Sequence, residues 1–414
     1  AALQLTTLLI GKGWAIEMKT VGDAEGYAEL ARFLTLSPLR PPGYPAFLAV
    51  LHGLGFSFLG VLFVQGTLLA AGAALLSALM TRAAGVGSRV AWVAALASAT
   101  SGTALWISKR LYADALFGFL VFVSCAVLMT AMTRKGSRAA ALTAGVASAV
   151  ALLVKPAFVV WPVVVLIAAL AGAVSGGSPR RSFFAMALAP WTVTLLALCT
   201  AMYLRYGVFS ASGIGALAVT RYWAAKTSAI AAFGSAGDAF VKQQQEAIEP
   251  GAIEAFSQGP DGWRGVSEKG RRVIAANPTA AFRALADSAW KNLPRPWFPQ
   301  ELRARDALRD LWPIGKALVL ALYLLAGAGV VVGLRAQDSR AATMLAAGVF
   351  LVFCAMTSIS FWEGARLMFP VEWVLFFLAG IAVARMAAGA RRGEHGREER
   401  EDALAEQEPG SRRT

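Results

Sequence analysis

The sequence is short of charge, of histidine and of cysteine, and each shortage excludes something. Asp, Glu, Lys and Arg together make up 15% of the 414 residues, where soluble domains carry about 25%. Two histidines, His52 and His395, leave no material for a His-based catalytic triad or a zinc cluster. The three cysteines (Cys125, Cys199 and Cys354) all lie inside apolar blocks, with no metal-site or disulfide spacing. There is no strand-rich region and no internal repeat. What is abundant is apolar surface: 57% of the residues are hydrophobic and mean hydropathy is +0.57. The net charge of +14 would suit a nucleic-acid binder. The Lys and Arg residues sit mostly in short connections between apolar blocks, however, so membrane topology accounts for them and nucleic acid is excluded as a partner.

The fold class that follows is an all-α polytopic membrane protein in a lipid bilayer. About ten spans are expected, at 1–11, 57–81, 90–107, 113–133, 139–154, 157–175, 183–204, 313–334, 341–360 and 368–387. Ala1 stands within an apolar run with no basic segment ahead of it, so 1–11 reads as the end of a first span. Residues 44–54 read as a short interfacial helix, and Lys155-Pro156 divides the run 139–175 into two helices. Basic clusters follow every second span: Arg82 and Arg89, Arg134 to Arg138, Arg180 and Arg181, Arg335 and Arg340, then Arg385 to Arg392. By the positive-inside rule those connections are cytoplasmic, and 12–43, 108–112, Lys155, 205–312 and 361–367 face outward. The expected domains are a transmembrane module over 1–204 whose first outer loop is 12–56, an external, mostly helical domain at 205–312, C-terminal spans over 313–390 and a disordered cytoplasmic tail at 391–414.

Ionisable groups in or near hydrocarbon are costly, and those found there mark functional positions. Asp23, Glu25, Lys109, Arg110, Asp114, Lys155, Glu363 and Arg366 all fall on the outward side of this topology. Each has a plainer alternative. Asp23 would cap a helix over 24–34, Glu25 would complement its dipole, and Asp114 would cap the span it opens. Lys155 would snorkel to the interface, Lys109 and Arg110 would anchor there, and Glu363 and Arg366 would pair with each other. Tyr27, Arg40 and Tyr44 read as the frame of the loop around the site. Carboxylates beside cations suit a reaction in which a proton leaves a hydroxyl and a phosphate departs as an anion.

Gly22-Asp23-Ala24-Glu25-Gly26-Tyr27, followed by Arg40-Pro41-Pro42-Gly43-Tyr44-Pro45, resembles the first outer loop of GT-C glycosyltransferases. The similarity is to the bacterial branch of the protein O-mannosyltransferases and the lipid A aminoarabinose transferase. Gln65, Tyr112-Ala113-Asp114, Leu153-Val154-Lys155-Pro156 and Glu363-Gly364-Ala365-Arg366-Leu367-Met368-Phe369-Pro370 extend it over 12–175 and 313–387, leaving the external domain unaligned. The resemblance implies a plasma-membrane transferase with its active site outside. It would move a sugar from a polyprenyl-phosphate carrier to a glycan, lipid or protein hydroxyl with inversion. It implies Asp23 as general base and Asp114 as the residue that orients the acceptor or helps hold a cation. Lys155 is implied as a contact to the donor phosphate, with Arg366 as a further substrate-binding residue. Two departures stand out: Asp-x-Glu replaces an adjacent acidic pair, so Glu25 competes with Asp23, and Leu367 stands where relatives usually have Tyr. No cofactor is fixed. Mg²⁺ or Mn²⁺ enters only if the fold gathers Asp23, Glu25 and Asp114. The competing class is a polytopic transporter or lipid-linked-sugar flippase, for which a midplane site on broken helices and an internal repeat are the expected marks.

Overall fold

A computed structural model describes residues 23–33, 36–108, 110–133, 137–175, 181–248, 259–294, 312–359 and 366–406. Among them every regular element is helical. α1 (Asp23–Phe33) and α2 (Gly43–Gly53) are short. Then come α3 (Phe58–Ala84), α4 (Ser88–Ala99), α5 (Gly102–Ser108), α6 (Ala113–Thr133) and α7 (Arg138–Val154). A 3-10 turn over Pro156–Val160 leads into α8 (Trp161–Val174), followed by α9 (Arg181–Tyr206). The insert between α9 and the late spans holds α10 (Ile214–Leu217), a π-helical stretch (Ala218–Ala224), α11 (Ala225–Phe233), α12 (Asp238–Ile248), α13 (Pro260–Ala276) and α14 (Pro278–Asn292). The last three helices are α15 (Trp312–Arg335), α16 (Arg340–Ser358) and α17 (Phe369–Glu406).

Seven of these helices are long and apolar enough to cross a bilayer, or eight if the bent pair α4–α5 counts as one span. α7 is apolar but only 17 residues long. Helices therefore occupy nine of the ten expected places, and the tenth, 1–11, lies outside the described residues. Large apolar side chains on the outer faces, among them Phe63, Leu75, Leu166, Leu196, Leu324 and Leu351, are exposed to whatever surrounds the bundle. Such a continuous apolar skin belongs against lipid rather than water.

Two elements depart from expectation for local reasons. The run 90–107 was expected as one span, but it bends by 50° between α4 and α5. Ser101 causes the break: its Oγ accepts from Ala104 N at 3.1 Å and caps a new helix in the middle of the apolar run. The second departure is at 391–406, expected as disordered tail, where the backbone of α17 continues to Glu406. This stretch is rich in Glu and Arg, which are strong helix formers.

The core is built around α17, which packs on α15, α4, α6, α16 and α3. No residue from Met368 to Ala382 is exposed. α7 packs against α6 and α9, and α8 against α16. Two indoles lock α8 and the 3-10 turn before it to α9. Trp161 Nε1 donates to Ala187 O at 2.9 Å, and Trp191 Nε1 donates to Phe158 O at 3.0 Å. The insert is tied to the chain between α1 and α2: Tyr206 Oη donates to Leu36 O at 2.6 Å and Gly213 N to Pro38 O at 2.7 Å. It thus sits at the end of the bundle where α6 begins and α7 stops.

Candidate functional site

Three interruptions of helix bring three ionisable residues to this end. The residue before a proline is forced toward extended backbone. Lys155, before Pro156, has φ −144° and ψ 129°, ends α7 and turns its side chain off the helix. Asp114 lies in the first turn of α6, where the helix dipole favours a carboxylate. Arg366 lies in the turn that leads into α17.

The three meet. Asp114 is 0% exposed. Its Oδ1 accepts from Lys155 Nζ at 2.5 Å, and its Oδ2 accepts from Arg366 Nε at 2.9 Å. The partners lie 41 and 252 positions away in sequence, so only the fold brings them together. Aromatic faces complete the cluster. The Arg366 guanidinium stands 4.2 Å from the Tyr112 ring centroid, and Lys155 Nζ stands 5.8 Å from that of Phe117. The Arg110 guanidinium lies 4.7 Å over Trp106 and donates to Tyr112 Oη at 3.2 Å. Among the described side chains, one carboxylate therefore gathers a cationic cluster, an arrangement suited to holding an anion.

A hydrogen-bond chain frames the cluster on the side of α2. Tyr44 Oη donates to Gln65 Oε1 at 2.7 Å, and Gln65 Nε2 donates to Arg110 O at 2.9 Å. Burial above all, with the nearby Tyr27 and Asp114, raises the Tyr44 phenol well above its ordinary pKa. It is therefore a neutral donor and not a base. Gly43 makes this approach feasible. A Cβ there would fall 2.6 Å from Leu153 C and O and 2.8 Å from Val154 N, at the end of α7. The Tyr27 ring meets Tyr44 edge-on at 4.9 Å, and the Arg40 guanidinium lies 5.2 Å from the Tyr27 centroid.

Of the residues singled out in sequence, Asp114, Lys155 and Arg366 are in direct contact, while Tyr27, Arg40, Tyr44 and Arg110 form the flank. Asp23 and Glu25 lie in the first turn of α1, but their side chains are outside the described residues, as are Lys109 and Glu363. Arg366 meets Asp114, and its expected pairing with Glu363 falls outside the described residues. Among the described residues no group of three His, Cys, Asp or Glu side chains comes together. Both Asp114 oxygens face cationic side chains, which fits a divalent cation poorly at that carboxylate.

One acidic residue was missed. Glu372 lies four residues into α17, is 2% exposed, and has no hydrogen-bond partner for either carboxyl oxygen among the described residues. Its signal was plain, since it is the one acidic residue inside the apolar run 368–387. Comparison of the chain with known protein families, curated proteins and solved structures finds no match.

Proposed function

We propose that this chain is a membrane glycosyltransferase that moves a sugar from a polyprenyl-phosphate carrier to an acceptor hydroxyl. The reaction would occur at the end of the bundle that holds Asp114, on the outer side of the plasma membrane. The observation that carries this reading is the double clamp on Asp114, which fixes Lys155 and Arg366 side by side in a partly buried cationic cluster.

The roles follow from chemistry. Lys155 Nζ carries three N–H bonds and gives one to Asp114. The others serve the phosphate oxygen that gains charge as the bond from the anomeric carbon to that oxygen breaks. Asp114, with an acceptor contact at each oxygen, is a positioning residue for two cations. The base is then Asp23, at the start of α1. It takes the acceptor's proton as the acceptor oxygen attacks the anomeric carbon opposite the departing phosphate, which inverts that centre. Beside this end of the bundle, the insert offers a groove of about 820 Å³ with Phe209, Trp263, Arg264 and Arg271 in its walls. That space would receive the body of the acceptor.

The test is the purified chain in lipid, offered a panel of polyprenyl-phosphate sugars with mixed glycan, lipid and peptide acceptors. The readout is release of carrier phosphate. Asp23→Asn should slow release by roughly 10²–10⁴-fold with donor binding nearly unchanged, and Lys155→Ala should weaken donor binding while Lys155→Arg restores part of it. If Glu25→Gln abolishes release and Asp23→Asn does not, the base moves two residues along α1. Release that neither change slows would place the base outside α1, and no release from any donor in the panel would sink the reading.

A second reading, as a transporter or flippase, has one observation in its favour. The α4–α5 bend lies beside Glu372, a buried acid without a partner, and transporters build sites from such broken helices. Protein-dependent translocation of a lipid-linked sugar without release of carrier phosphate would establish it.

A further inference from the structure

Among the described residues two carboxylates are buried, and their surroundings are opposite. Asp114 has a cation at each oxygen, whereas Glu372 has no hydrogen-bond partner at either. An ionised carboxylate with no cation beside it is expensive in the hydrocarbon layer, so Glu372 either keeps its proton or pairs with a cation that enters.

Glu372 lines a half-open cavity of about 60 Å³ between α3, α4, α6 and α17. The walls are dominated by Phe119, Phe122, Phe369 and Trp373, and among the described residues they contain no Lys, Arg or His. The Phe122 and Trp373 rings meet edge-on at 5.1 Å. At the α4–α5 break, Ser101 Oγ already accepts from Ala104 N and so keeps its O–H to donate. Thr103 Oγ1 is buried and has no partner, like Glu372 itself. Ser101 and Thr103 stand beside the carboxyl without closing a hydrogen bond of ordinary geometry to it. Glu372, Ser98 and several aromatic rings thus border one space, and Ser101 and Thr103 stand beside the carboxyl.

Size and chemistry select the occupant. A dry cavity of roughly 150 Å³ admits benzene, with six heavy atoms. At 60 Å³ this cavity takes a group of two or three heavy atoms, and its open side lets the rest of the molecule project. A calcium ion takes roughly six to eight oxygen ligands, and magnesium demands a near-ideal octahedral set. Glu372 and Ser98 in the lining, with Ser101 and Thr103 beside the carboxyl, offer five side-chain oxygens, fewer than either ion takes. An ammonium asks less: one N–H to the carboxylate, others to hydroxyls, and its remaining charge against aromatic faces.

We infer that Glu372, Ser101 and Thr103, with the aromatic walls of this cavity, form a binding site for the alkylammonium head of an amine-bearing amphiphile. The site is distinct from the cluster at Asp114 and does not rest on the transferase reading. The amine has two sources, an aminophospholipid head group from the bilayer or a free amine, and both present the same CH₂–NH₃⁺ end.

The test uses the full chain in nanodiscs of phosphatidylcholine and phosphatidylglycerol, titrated with n-octylammonium and, separately, n-octanol, following thermal unfolding by tryptophan fluorescence. Octylammonium should raise the melting temperature beyond the octanol response. Glu372→Gln should weaken its apparent affinity by roughly ten- to hundredfold, the worth of a hydrogen bond to a charged group. Gly72→Val is the second variant, because it fills the cavity and leaves the carboxyl intact. A Cβ at Gly72 meets only Phe119 at 3.8 Å and Phe122 at 4.0 Å, so the backbone tolerates it. It should abolish the same response.

A second arm places phosphatidylethanolamine in the nanodisc and reads retained lipid by native mass spectrometry. Retention that Glu372→Gln and Gly72→Val both remove assigns the site to a lipid head. An octylammonium response without such retention assigns it to a free amine. The proposal is overturned if octanol and octylammonium act alike on the unmodified chain, which means the cavity holds water only. It is equally overturned if both variants keep the full ammonium response.

Discussion

Replacing Asp114 with Asn removes one negative charge from between two cations while keeping the shape of the side chain. The Lys155 and Arg366 side chains are 18% and 12% exposed, so solvent screens little of what remains. Removing one partner of a buried ion pair costs about 3–5 kcal/mol, chiefly because the surviving charge is left uncompensated. Here two charges are left, but both keep an edge in solvent, so the expected loss for Asp114→Asn is about 3 kcal/mol. Lys155→Met should cost less, roughly 1–2 kcal/mol, because Arg366 still compensates Asp114. The double variant decides the matter. With Lys155 already gone, removal of the carboxylate strands one cation instead of two. The double variant should therefore be more stable than the sum of the singles by about 1–2 kcal/mol. Unfolding in mixed micelles titrated with SDS, followed by tryptophan fluorescence, gives all three values. Losses that add within about 0.5 kcal/mol would mean that Asp114 and Lys155 do not interact, and the clamp would be refuted.

The remaining predictions address the frame and the insert. Gly43→Ala should destabilise the chain by about 1–3 kcal/mol, since its Cβ would press on backbone of α7 that cannot turn aside. Gly53→Ala, which meets nothing within 4 Å, should be harmless in the same unfolding assay. Tyr44→Phe should cost about 1–3 kcal/mol by leaving the buried Gln65 Oε1 without its donor, and Gln65→Leu added to it should recover part of that loss. In the insert, the buried Lys226 Nζ lies 2.5 Å from Asp287 Oδ2, and Lys291 Nζ lies 3.0 Å from the same oxygen. Partial burial opposes ionisation of Asp287, but hydrogen bonds and charge from the two lysines outweigh it and lower its pKa below the ordinary value. Its contribution to stability should be complete above the ordinary carboxylate pKa of about 3.9 and fade as the pH falls through the lower folded value. Lys226→Met should flatten that acid limb, which a pH series of melting curves would read.

The spans were legible because a run of 20 apolar residues has few other uses, and Lys155-Pro156 announced its own break through proline sterics. The meeting of Asp114, Lys155 and Arg366 was legible only as three charges on one side of a topology. Which oxygen meets which nitrogen depends on how α6, α7 and α17 pack, and nothing local encodes that. The bend at Ser101 stayed hidden because a serine inside an apolar run counts as a tolerated polar residue until its hydroxyl is seen to cap a helix. Glu372 was passed over for a related reason: hydropathy averages dilute a single acid among large apolar neighbours. The helix over 391–406 was obscured by its charge, which reads as disorder although Glu and Arg favour helix.

The position of α17 bears on how the bundle is made. Of the described spans it comes latest in the chain, yet it is the one enclosed along its length from Met368 to Ala382. During synthesis the earlier helices must wait in the bilayer with a vacant axis, their inner faces touching lipid. Arg366 and Glu372 arrive on the same late segment, so neither Asp114 nor the aromatic cavity acquires its final neighbour before the axis is filled. Assembly is in this sense a closing step, and a ribosome stalled before residue 366 would leave a chain that is inserted but hollow, a natural target for membrane quality control.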